Sequence, residues 1–281
     1  MAIRPMHASD LDFAAGCTAA EGWASETRQA FEGFLAYDPG GCFVAEAGGA
    51  QVGICVATRY GEFGFIGELI VVPEMRGRGI GLGLFDHAIE YLRSRGAQNI
   101  LLDAVPAAVP LYEKIGFRKV CRSLRFTGNI TGRFDPHVRT MQAADLDAVS
   151  AMDQEAFGAD RRFFLERSLS LYPEFSKVIE CDGEMAGFIM GRRGNGIIPA
   201  GPWVVRPGVE RPGDLVVSLA AEVTGIPLRV GVLEANSEAA ATVRRFGLAE
   251  NPDPPWRMAL GPSGHLGLSK QAYAIGSPAK G

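Results

Sequence analysis

The sequence predicts a mixed α/β fold laid out twice along one chain. Three observations carry this expectation. At 281 residues the chain is longer than one hydrophobic core usually serves, which favours two domains of similar size. An early pattern also returns. Ile3-Arg4-Pro5-Met6 with Ala8-Ser9-Asp10-Leu11-Asp12 comes back 135 positions later as Val138-Arg139-Thr140-Met141 with Ala143-Ala144-Asp145-Leu146-Asp147. Within the first copy, strand-like segments come as hairpins and then alternate with helical ones, the order of a mixed sheet flanked by helices.

The elements follow in order. A strand over 3–6 leads into a helix over 9–21, where Asp10 and Asp12 suit a helix N-terminus. A second helix covers 26–36. Apolar runs over 42–47 and 51–59 flank Gly48-Gly49 as a hairpin, and a further strand covers 65–72. The segment 79–95 places Leu82, Leu84, Phe85, Ala88, Ile89 and Leu92 at helical spacing. A strand over 99–104, a helix over 107–115 and a strand over 117–127 complete the copy. Turn formers from 128 to 137 make a linker, giving a first domain over 1–127 and a second over 138–281. In the second copy, Leu233-Glu234-Ala235 answers Leu102-Asp103-Ala104 at a smaller offset of 131, so residues have been lost from its middle. The tail from Gly261 is rich in Gly, Ser and Pro, yet 265–276 holds enough apolar residues to dock.

Composition excludes several classes. Hydrophobic residues at 47% and charged ones at 21% describe an ordinary folded protein. The 28 Lys and Arg against 32 Asp and Glu divide evenly, 13 against 15 over 1–138 and 15 against 17 beyond, so no nucleic-acid partner is expected. No apolar run is long enough to span a bilayer and the first residues lack a signal-peptide layout, so a cytoplasmic location is expected. Cys17, Cys42, Cys55, Cys121 and Cys181 form no close pair. His7, His87, His137 and His265 have no metal-ligand spacing, and no metal is expected.

The informative motif is Arg76-Gly77-Arg78-Gly79-Ile80-Gly81, between an apolar strand and a helix. Glycines at such a junction let backbone N–H groups approach an anion, and the helix dipole assists them. Arg76 and Arg78 bring charge suited to a phosphate or pyrophosphate. The Gly-Lys-Ser/Thr ending of a P-loop is absent, and the spacing is not that of a dinucleotide fingerprint. Some thirty residues on comes Pro110-Leu111-Tyr112-Glu113-Lys114-Ile115-Gly116-Phe117.

These two motifs, in this order and at this spacing, resemble the GNAT superfamily of acyl-CoA-dependent N-acetyltransferases. The resemblance covers residues 1–127, and the repeat makes the second domain look like a diverged GNAT domain. The resemblance implies that Arg76, Gly77, Arg78, Gly79, Ile80, Gly81 and Leu82 meet the pyrophosphate of acetyl-CoA. It implies that the backbone of Leu69, Ile70, Val71 and Val72 pairs with the pantetheine arm, with N–H groups around Val71 meeting the oxyanion. Tyr112 would be the general acid for the departing thiolate, or else a tyrosine packed at a helix end. Glu68 would draw the amine's proton, usually through water, or else be a solvated strand-edge carboxylate. The family's frequent Asn before the Tyr helix is missing from 103–110.

In the second domain Tyr112 aligns with Val243, and the glycine loop shrinks to something like Val209-Glu210-Arg211-Pro212-Gly213, whose proline lacks an N–H. That domain is expected to complete an acceptor pocket rather than bind acetyl-CoA. Glu21 and Trp23, between the first two helices, are candidates to hold the acceptor, Trp23 alternatively being a buried staple. Trp203 could face the cleft or lie in the core. Arg118, Lys119, Arg122 and Arg125 alternate along one strand and read mostly as a solvated face. The expected activity is transfer of acetyl from acetyl-CoA to a small-molecule amine. A protein-lysine or N-terminal acetyltransferase and a non-catalytic acyl-CoA sensor are the alternatives.

Overall fold

The computed structural model describes residues 1–262 and 267–281; His265 and the start of the expected docking segment lie outside them. The first half runs β1 (Ala2–Pro5), α1 (Leu11–Ala20), α2 (Arg28–Tyr37), β2 (Cys42–Ala47), β3 (Ala50–Tyr60), β4 (Phe63–Val71), α3 (Ile80–Ser94), β5 (Asn99–Ala104), α4 (Val109–Ile115) and β6 (Arg118–Gly128). The second runs β7 (Val138–Thr140), α5 (Leu146–Phe157), α6 (Arg162–Leu171), β8 (Lys177–Cys181), β9 (Glu184–Gly191), β10 (Ile198–Val205), α7 (Asp214–Ala220) and β11 (Leu228–Leu233). It continues with α8 (Ser237–Arg245), β12 (Ala249–Glu250), β13 (Trp256–Leu260) and β14 (Ala272–Ala274).

The repeat is a repeat of interactions. Arg4 bridges Asp10 at 2.6 Å and Glu46 at 2.7 Å, and Arg139 bridges Asp145 at 2.7 Å and Glu180 at 2.5 Å. Asp10 also accepts the His7 N–H at 2.7 Å, as Asp145 accepts that of Gln142 at 2.7 Å, which satisfies a backbone donor where each first helix begins. One Arg thus ties strand, helix start and hairpin together in both copies.

The strands form one sheet in the order β1-β2-β3-β4-β5-β13-β6-β11-β10-β9-β8-β7, with β12 on β6 and β14 on β10. Two segments cross between the halves. β13 comes late in the chain but lies between β5 and β6, antiparallel to both. The latter part of β6 (123–128) pairs with β11 of the second half. Local sequence over Trp256–Leu260 cannot say which sheet edge will take it. Apolar packing joins the halves as well. Phe164 of α6 sits 4.7 Å from Tyr37, and Phe157 of α5 sits 5.0 Å from Tyr60, ring centre to ring centre.

The tail docks in two stages. β14 pairs with β10 at Trp203 and Val204, and Ile275 donates its N–H to the Gly231 carbonyl of β11. Since β10 and β11 pair only over 198–200, the tail fills the gap that opens between them. Residues 277–281 then turn into the first half. Tyr60 donates to the Lys280 carbonyl at 3.0 Å, and Arg161 donates to that of Gly281 at 2.8 Å.

Candidate active site

In the first half the corresponding gap is open. β4 and β5 run parallel but pair only through Phe63, Gly64 and Phe65 with 99–101. Beyond that point they diverge, and the space between them is a cleft of about 890 Å³. A β-bulge shapes its wall. Ile54 faces Ile70 and Val56 faces Gly67, so Glu68 and Leu69 together oppose Cys55. Glu68 adopts φ +52°, the left-handed region that a side chain disfavours by about 1 kcal/mol or more. The Val72 N–H bonds back to Val52. By the alternation of an antiparallel edge, the N–H and C=O of Val71, and those of Leu69 two residues earlier, face the cleft.

At the far end of β4 the chain enters the glycine loop. Gly77 and Gly79 take φ +75° and +81°, and a Cβ at either would meet nothing within 4 Å. The space above the loop is therefore open, beside the unpaired first N–H groups of α3. Ile80 is buried and anchors the helix, so only its backbone can serve a ligand; Leu82 stands exposed beside the loop. Arg76 departs from expectation. Its Nε donates to the Val71 carbonyl at 2.8 Å and its guanidinium pairs with Glu21, which draws it back over the cleft mouth. Arg78, also exposed, is the loop cation without an ion pair among the described residues.

Tyr112 and Glu68 both line the cleft. Tyr112 packs its ring 4.9 Å from Phe85, while among the described residues its hydroxyl makes no hydrogen bond. Burial pushes its phenol well above the ordinary tyrosine range. Glu68 is only 4% exposed, so it is not a solvated strand-edge group. Its Oε2 has no partner. Burial first, and then the neighbouring Glu26, raise its pKa well above that of a free carboxyl, opposed by Lys280 and Arg192. Glu26 is itself buried, held by Arg192 and Ser277 at 3.0 Å each.

A stability test follows. An unfolded Glu titrates near pH 4.3, and Glu68 in the folded chain titrates higher. The folded state thus binds more protons across that interval, and its stability falls as pH rises through it. Glu68→Gln removes the penalty. The melting temperature of the variant is expected to match wild type near pH 4 and exceed it at neutral pH and above. A difference independent of pH would show that burial does not raise the pKa of Glu68.

Glu21 and Trp23 also line the cleft, Trp23 half-buried against the core of the first half. Trp203 does not. It is fully buried, its ring 5.2 Å from Tyr273, because the tail strand β14 pairs along the edge of β10 that would otherwise open onto a cleft. Arg125 leaves the solvated face expected of its strand. It donates to Asp103 at 2.6 Å, and Arg257 of β13 donates to the other oxygen of that carboxylate at 2.5 Å. Sequence alternation suggested surface for Arg125, and nothing in it linked Asp103 to a residue 154 positions away. Glu26 and the tail residues Pro278 and Ala279 are likewise cleft components that the sequence reading missed. Gly67 held the one signal, since a Cβ there would lie 2.6 Å from Ala279.

No described helix is long and apolar enough to cross a membrane. Among the described residues no group of three or more His, Cys, Asp or Glu is placed to hold a metal ion.

Comparison with known proteins agrees with this architecture. A family model described as the acetyltransferase (GNAT) family matches residues 8–117, and one described as an acetyltransferase (GNAT) domain matches 149–274. A mycothiol acetyltransferase of Thermobispora bispora is 42% identical over 93 residues, 30% of this chain and 32% of that protein, so the match spans about a third of that relative. The uncharacterized N-acetyltransferase YitH of Bacillus subtilis is 25% identical over 200 residues, 70% of each chain. A putative acetyltransferase from Pyrococcus horikoshii shares the fold with a TM-score of 0.83 at 24% identity, covering 100% of this chain and 95% of that one. A tandem GNAT protein from the clavulanic acid biosynthesis pathway shares it with a TM-score of 0.62 at 18% identity, covering 94% and 99%. Both halves carry the pattern, and the chain belongs to the GNAT acetyltransferase family as a tandem of two GNAT domains.

Proposed function

We propose that the chain moves an acetyl group from acetyl-CoA to a primary amine of a small molecule, by direct attack with both substrates bound in the first-half cleft. The observation that carries this reading is the edge of β4 between Glu68 and Val71, left without a strand partner and with the Val71 carbonyl held by Arg76, leading from Tyr112 to a glycine loop with free space above it. The loop and the N-terminus of α3 suit a pyrophosphate, with Arg78 adding charge. The cleft-facing amide edge of Leu69 and Val71 suits the amide groups of pantetheine, and the Val71 N–H suits the oxyanion of the thioester carbonyl.

In the transfer, the amine nitrogen bonds to the acetyl carbon and the carbon–sulfur bond breaks. The amine's proton leaves through water to Glu68, whose raised pKa brings it closer to the working pH of a base. The sulfur takes a proton or a hydrogen bond from Tyr112. A phenol held above its usual pKa stays protonated, so it is a constant donor there. The acceptor side is walled by the loop 21–26, by 249–251 of the second half and by the tail. That enclosure favours a small acceptor over a protein chain.

Tyr112→Phe keeps the ring and its packing on Phe85. It is expected to lower kcat by roughly ten- to a thousandfold while the dissociation constant for acetyl-CoA stays nearly constant. Thiol release under saturating acetyl-CoA, with calorimetry for binding, reads both numbers. An unchanged kcat across pH would remove Tyr112 from the reaction.

A further inference from the structure

We propose that the acceptor amine carries an anionic group, a carboxylate or a phosphate, held by Arg229 and Arg125 on the wall of the cleft where the two halves meet. The proposal rests on the acetyl-transfer reading above and names the substrate class of that site. Both arginines line the cleft that also holds Tyr112 and Glu68. In the β6–β11 ladder Arg229 faces Thr127 and Arg125 faces Gly231, which places both on one side of the sheet. Gly231 supplies the room: a Cβ there would lie 3.2 Å from the Arg125 guanidinium.

The charges around them do not balance. Asp103 is one carboxylate serving two guanidiniums, Arg125 and Arg257, and it accepts from Ser123 at 2.8 Å as well. Arg229 donates only to the Thr127 hydroxyl, at 3.3 Å, and has no carboxylate partner among the described residues. The other acids of the cleft are engaged elsewhere. Glu21 pairs with Arg76, Glu26 with Arg192, and Glu250 with Arg244. Among the described residues Glu68 forms no ion pair with either arginine. Two positive charges are thus left over on this wall, where desolvation without a counter-ion is costly. A guanidinium presents paired N–H donors that fit a carboxylate or phosphate. Anchoring such a group would fix the amine for attack.

Matched acceptors decide it. Thiol release would be followed with 4-aminobutyrate against butylamine, and with O-phosphoethanolamine against ethanolamine, at saturating acetyl-CoA. The anionic member of at least one pair is expected to show a kcat/KM higher by tenfold or more. Arg229→Met is expected to cut that preference by roughly ten- to a hundredfold, the range for a hydrogen bond between charged groups, and Arg229→Lys to restore part of it. A wild type that binds acetyl-CoA but uses neither anionic member better than its neutral partner overturns the proposal. So does a preference that survives in Arg229→Met. Failure of the wild type to bind acetyl-CoA by calorimetry overturns the acetyl-transfer reading together with this one.

Discussion

Gly81→Asp is expected to abolish measurable acetyl-CoA binding while leaving the protein folded. The two effects separate because of where Gly81 sits. It is the second residue of α3, and a Cβ there meets only the Val71 methyl at 3.5 Å, an ordinary contact. A carboxylate in the first turn of a helix is stabilising by about 0.3–1 kcal/mol, so thermal stability should hold or rise slightly. The same charge would lie where the loop is proposed to receive a pyrophosphate, and would occupy the helix N-terminus itself. Gly81→Ala controls for size and should bind within a few-fold of wild type. Calorimetry with acetyl-CoA, alongside a melting curve, reads both predictions. Unchanged affinity in Gly81→Asp would mean that the phosphates bind elsewhere, and the cofactor assignment would fall.

Legibility in the sequence followed the range of the interactions. Elements set by local patterns came through nearly intact: the expected strand over 42–47 is β2, and the expected helix over 79–95 is α3 within a residue at each end. The glycine loop was legible because positive φ at Gly77 and Gly79 is a demand that the backbone makes on residue type. The second copy was legible as a repeat, and its altered loop and missing tyrosine hinted at a different role. The plugged gap between β10 and β11 was not visible, because a short strand such as Ala272–Ala274 pairs wherever an edge is free. Trp203 was misplaced for that reason. Its position in the repeat points towards a cleft, and only the tail strand closes it. The charged wall of Asp103, Arg125, Arg229 and Arg257 joins four strands remote in sequence. Each residue taken alone reads as an ordinary surface charge.

Separating the halves is expected to be as damaging as any point change. A chain ending at 137 would lose β13, leaving β5 and β6 without the strand that lies between them. It would also uncover Tyr60, Phe63 and Phe34, which pack on Phe157 and Phe164, and empty the site of the tail on Gly67. Each buried aliphatic or aromatic side chain so exposed forfeits about 1.5–3 kcal/mol, against a total stability of about 5–15 kcal/mol for a domain. A handful of such losses suffices, and the fragment 1–137 should be insoluble or lack a cooperative melt. Residues 1–137 and 138–281 expressed together as two chains should recover a soluble complex, because every lost contact is intermolecular in that pair. That complex should bind one acetyl-CoA per pair. Among the described residues the space between β10 and β11 is filled, since β14 pairs with β10 there and a Cβ at Gly201 would lie 2.0 Å from the Ile275 carbonyl. Two equivalents by titration would show that the tail strand yields to ligand. A soluble 1–137 that transfers acetyl at the full rate would show that the cleft needs neither β13 nor the tail, and the shared sheet would then be an association of two self-sufficient domains.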